Sequence, residues 1–107
     1  MLKQNVNQNL VDRVKASTKF QTNKKALRES IQAELHVTYN SGLFYVTPTL
    51  IAFLESWHTE DMFLEDTYNN PVPIKRSELV LLAKERYQAV MNTWHTQYQE
   101  LKSVRKV

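Results

Sequence analysis

The sequence predicts an α+β domain in which N-terminal helices and a long C-terminal helix flank a β-hairpin, a short amphipathic helix and a second hairpin-like element. Three observations lead there. Apolar and polar residues alternate from Leu35 to Tyr39 and run directly into the turn-forming Asn40-Ser41-Gly42. Thr47-Pro48 marks a helix start in mid-chain. From Ser77 onward, apolar residues recur at spacings of three and four, close to a heptad seam.

Residues 1–8 are polar and rich in Asn and Gln, which predicts a frayed start followed by a single domain over 9–107. Leu10, Val11 and Val14 predict a short helix that ends near "STKFQTN". Thr22 or Asn23 then caps a second helix, "KKALRESIQAE", with Ala26, Leu27 and Ile31 on one face. In "LHVTY", Leu35, Val37 and Tyr39 form one side of a strand, and "LFYV" is its return partner. Gly42, the chain's one glycine, is expected at a positive φ in the turn between them.

The helix "PTLIAFLESWH" should lay Leu50, Ile51, Phe53, Leu54 and Trp57 across that hairpin. "MFLED" and "VPI" pair around Tyr68-Asn69-Asn70-Pro71, and Pro73 confines the ladder to an edge. Ser77 caps the last helix, with Glu78 in its first turn and Lys102, Arg105 and Lys106 in its last, as the helix dipole favours. At 1.5 Å per residue that helix is about 43 Å long, whereas a compact chain of this size has a radius of gyration of about 13 Å. Its distal half therefore needs a cover, supplied by the N-terminal helices or by another subunit. Tyr87, Val90, Trp94, Tyr98 and Leu101 are the expected contact residues, and a homo-oligomer that also binds a protein partner is the expected assembly.

Composition narrows the function classes. At 107 residues with 42% hydrophobic content, one modest core is feasible. No cysteine is present, which excludes disulfide scaffolds, thiolate zinc sites and cysteine nucleophiles. The longest nearly apolar run, "LFYVTPTLIAFL", has 12 residues including Pro48, against about 20 for a membrane span. With no signal-like start, the expectation is a cytoplasmic protein without a membrane partner.

Charge is strongly segregated. Residues 1–30 carry seven Lys or Arg against two acids; residues 31–74 carry six acids and no Lys or Arg; residues 75–107 carry seven basic residues against three acids. Either the basic ends neutralise the acidic middle, or they form a free basic surface that meets phosphates. In the second case Lys24, Lys25, Arg28, Lys102, Arg105 and Lys106 are the expected backbone contacts of a nucleic acid, with steep salt dependence.

"WHT" occurs twice, at Trp57-His58-Thr59 and Trp94-His95-Thr96, within the matching stretches "AFLESWHT" and "AVMNTWHT". On a helical wheel each Trp lies among apolar neighbours and each His falls on the shoulder, which predicts two core tryptophans with boundary histidines. A metal site from these histidines lacks H-x-x-x-H or H-E-x-x-H spacing, so no metal is expected. No G-x-S-x-G or glycine-rich phosphate loop is present, and the acids of "HTEDMFLED" are expected to form a solvated rim rather than an acid–base pair. A non-enzymatic protein without a cofactor is the expectation.

The stretch "EDTYNNPVPIKRSELVLLAKERYQAVMNTWHTQYQELKSVRK", residues 65–106, with its "NNPV", a basic pair before a capped helix and "RYQAVMNTW", resembles small uncharacterised proteins of tailed marine cyanophages. The resemblance covers about 40% of the chain. It implies a phage-encoded protein that works in a bacterial cytoplasm or in the virion, and it carries over no site residue.

Overall fold

A computed structural model describes residues 2–105, with side chains described from 9 to 104. α1 (Leu2–Glu34) is one continuous helix of 33 residues, and the expected break within "STKFQTN" does not occur. Ser17, Thr18, Thr22 and Asn23 are mediocre helix formers, each costing a few tenths of a kcal/mol relative to Ala. No Gly or Pro interrupts the run, and Phe20, in its centre, is buried.

β1 (His36–Tyr39) and β2 (Gly42–Tyr45) form the first hairpin, in the expected place, with Val37 opposite Phe44. The two-residue turn has Asn40 at φ 48° and Ser41 at φ 68°, the pair of left-handed residues whose twist matches that of the flanking strands. Gly42 has no positive φ, contrary to expectation. Space is what requires glycine there: a Cβ would stand 2.7 Å from Val72 Cγ2 and 3.0 Å from the Phe44 ring.

α2 (Pro48–Ser56) begins as its sequence demands, with the Thr47 hydroxyl accepting the Leu50 N–H at 3.0 Å and Pro48 in the first turn. β3 (Asp61–Glu65) and β4 (Pro71–Lys75) pair antiparallel, Met62 opposite Ile74 and Leu64 opposite Val72. On β4 the inward Val72 and Ile74 alternate with the outward Pro71, Pro73 and Lys75. Because the prolines pair only with β3, their missing N–H groups face away from any ladder.

The core draws on Ile31 at the end of α1 and Leu35 just after it, Val37, Phe44 and Val46 from the first hairpin, Leu54 from α2, Val72 and Ile74 from β4, and Leu79, Ala83 and Val90 from α3 (Arg76–Arg105), with the half-buried Met62 and Leu64 of β3 packed against it. The hairpins, α2 and the start of α3 thus make a small head. α1 and α3 leave it side by side as a stalk.

The stalk is antiparallel: Arg28, Gln32 and Leu35 line one cavity with Tyr87 and Trp94, and Lys24 and Arg28 line the next with Trp94 and Tyr98, so stepping back along α1 moves forward along α3, roughly Arg28 level with Trp94. Carried on at that register, Ser17 is level with Arg105, so residues 2–16 of α1 project beyond α3 for about 22 Å. Leu10 and Val14, on the projecting part, are 59% and 60% exposed. The molecule measures 74 × 24 × 21 Å.

Candidate functional site

The acidic segment between α2 and β4 is the obvious place to look for acid–base chemistry, and each carboxylate there has a structural task. Glu60 caps α3 from outside the helix: its carbonyl accepts the Arg76 N–H and its carboxylate accepts the Ser77 N–H, both at 2.7 Å. Ser77 is therefore inside the helix and not its cap. The Ser77 N–H holds the Glu60 carboxyl below the usual carboxylate range, helped by Arg76 and Lys75. Asp61 pairs with Lys75 at 3.1 Å, and Glu65 accepts from the Asn69 side chain.

Asp66 departs from the expected solvated rim, being only 6% exposed. Its carboxylate accepts the N–H groups of Tyr68 and Asn70 at 3.0 Å and of Leu43 at 3.2 Å. The first two close the turn between β3 and β4; the third reaches across to β2. These backbone donors, Asn70 foremost, depress its pKa against the opposing cost of desolvation. Tyr39 makes a second inter-hairpin contact, donating to Glu78 and accepting the Lys75 N–H at 3.3 Å. The Glu78 contact pushes the Tyr39 hydroxyl above its ordinary value.

The two "WHT" motifs have different fates. Trp94 lies within α3, half-buried against the core. Trp57, expected as a core residue, is 40% exposed and has left the helix with φ −74° and ψ 141°. Its ring is tilted against Phe53 and stacked on His58, ring centroids 5.3 and 5.8 Å apart. The chain must turn here so that Glu60 reaches α3, and Arg76 donates to the Leu54 carbonyl at 3.0 Å to finish α2. The three histidines are dispersed: His36 stacks on Tyr45, His58 on Trp57, and His95 lies on α3. Among the described residues no three His, Asp or Glu side chains gather as metal ligands.

One constellation brings together residues that the sequence assigned to separate roles. Lys24 and Arg28 from α1, with Met91, Trp94, His95 and Tyr98 from α3, line a cleft of about 320 Å³. Two of the six cations expected to contact nucleic acid thus face two of the five residues expected to bury an interface. Lys102 is close by, its Nζ 5.6 Å from the centre of the Tyr98 ring. Lys25 is exposed one step round α1, outside the cleft. The Arg105 side chain and Lys106 lie outside the described residues.

Of the remaining expected contacts, Val90 is buried in the chain's own core, and Tyr87 and Leu101 are half-buried. α1 supplies the cover that the distal half of α3 needs. In the head, the ion pairs Lys75–Asp61 and Lys84–Glu55 join the acidic middle to the strand end and helix that follow it. The cations of α1 run instead along the stalk, all exposed from Arg13 to Arg28.

No family model, curated protein or solved structure matches the chain. No helix among the described residues is long and apolar enough to cross a membrane.

Proposed function

We propose that the protein is a non-enzymatic interaction module that self-associates through the projecting part of α1 and presents its head to a macromolecular partner. The observation that carries this reading is the exposure of Leu10, Val11 and Val14 on a helical segment that α3 does not accompany. An unaccompanied helix of about 15 residues is marginal in water and persists when its apolar side is packed. The apolar patch lies beyond Phe20 on the helix that forms the stalk seam, so a second copy extends a contact that the chain already makes.

Two projecting segments laid antiparallel about a two-fold axis cover each other's Leu10 and Val14 and keep the acidic heads at opposite ends. Arg13, Lys15 and Lys19 flank the patch in both copies, so their repulsion weakens association at low salt and screening relieves it. The resemblance of residues 65–106 to cyanophage proteins supports a phage-encoded accessory role in the host cytoplasm or the virion.

Light scattering during gel filtration tests the reading. The expected result is a mass above 12.6 kDa that rises with protein concentration and salt, and that a Leu10→Ser, Val14→Ser variant returns to the monomer value. A monomer at high micromolar concentration and high salt overturns it.

A further inference from the structure

We infer that the cleft between α1 and α3 is a binding site for single-stranded nucleic acid, with an unpaired base stacked at Trp94 and Tyr98 and its flanking phosphates held by Lys24, Arg28 and Lys102. The chemistry of the lining is the basis. Aromatic rings accept the face of any base, while the neighbouring cations meet the backbone. Here both are at one place: the rings come from α3, and Lys24 and Arg28 stand one helical turn apart on α1, about 6 Å along its axis. Among the described residues no acidic side chain lines the cleft. A volume of 320 Å³ is at the lower end of the range of roughly 300–1,000 Å³ for small-molecule sites, enough for one flat ring system.

Charge also favours this occupant over a protein segment of mixed charge. Beyond the cleft, Arg13, Lys15, Lys19 and Lys25 continue the positive surface along α1, a track on which a flexible polyanion gains at every step by releasing counterions. The acids of the molecule are concentrated in the head, which repels the strand and leaves the stalk as its path. A duplex hides its base faces within its own stack, so the aromatic part of the cleft selects the single strand.

Because Trp57 and Trp94 are the chain's two tryptophans, Trp57→Phe leaves Trp94 as a fluorescent reporter in the cleft itself. The expected result is quenching of Trp94 by oligothymidylate or oligouridylate, with an affinity that falls steeply with salt. Lys24→Gln and Arg28→Gln, at exposed positions that preserve the fold by circular dichroism, should each reduce the log–log salt slope by about 0.7. Tyr98→Leu should weaken binding by about tenfold or more and leave that slope unchanged, the signature of a lost stack.

Binding of a duplex of equal length as tightly as the single strand, without quenching, overturns the proposal in favour of a merely electrostatic surface. So does the absence of binding at low salt. Repeating the titration in the Leu10→Ser, Val14→Ser background separates this site from self-association, which responds to salt in the opposite direction.

Discussion

Gly42 and Asp66 fix the two hairpins to each other, and each does so by a property that only its residue type has. Gly42 leaves room for Val72 and Phe44; both neighbours are core residues with nowhere to retreat. Gly42→Ala should therefore destabilise the protein by about 1–3 kcal/mol, the usual cost of overpacking, measured by urea unfolding. Ser41→Gly should act in the opposite sense by up to about 1 kcal/mol, because it relieves a left-handed side chain.

Asp66 predicts a pH dependence. Its pKa is lowered on folding from an ordinary 3.8, so the unfolded chain takes up its proton first as pH falls. The stability it contributes is then full above 3.8 and is lost as pH falls through that value towards the lower folded one. Glu60 acts in the same direction from its ordinary 4.5. Asp66→Asn should be less stable than the parent at neutral pH, and the gap should close below 3.8; a gap of constant size across a pH series of unfolding curves would contradict the assigned role.

At the scale of elements, the continuity of α1 separates a local signal from a long-range one. If Asn23 capped a second helix, Lys24 would be its first residue, where proline is well tolerated. In an unbroken helix Lys24→Pro should cost about 3 kcal/mol or more, read from thermal unfolding. The hairpins and the start of α2 were legible because their determinants are local: alternation in "LHVTY", two turn residues, and Thr47 before Pro48.

The misread positions depend on distant partners. Nothing near Trp57 signals that the chain must leave the helix; the reason is Glu60 binding the start of α3. Ser77 looks like a cap, yet a residue 17 positions earlier supplies the acceptor. The cleft was legible as two separate sets of residues, basic on one segment and aromatic on another. Only the antiparallel register of the stalk makes Arg28 a neighbour of Trp94.

As a whole the molecule is long and electrically polarised. Its radius of gyration is 21.0 Å, against about 13 Å for a compact chain of this length, because the two stalk helices extend away from one small core. Small-angle scattering of the Leu10→Ser, Val14→Ser variant, extrapolated to zero concentration, should return a value near 21 Å, and a value near 13 Å would show that α1 folds back. Between residues 9 and 30 lie six basic residues against two acids, while the head contributes the acidic stretch between residues 31 and 74. Opposite charges at the two ends orient the molecule in any external field, with the stalk towards a polyanion and the head away from it.

The register of the stalk also decides how the chain opens. α1 and α3 are joined only through the head, so their pairing starts where Ile31, Leu35 and Leu79 meet in the core and proceeds outward turn by turn. Loop closure has already been met in forming the head, and each further turn adds a few side-chain contacts and no new topology. Amide hydrogen exchange should record this as a gradient in which the slowest protons mark the head–stalk junction, protection falls steadily along both helices, and the projecting segment of α1 exchanges fastest unless a second copy covers it.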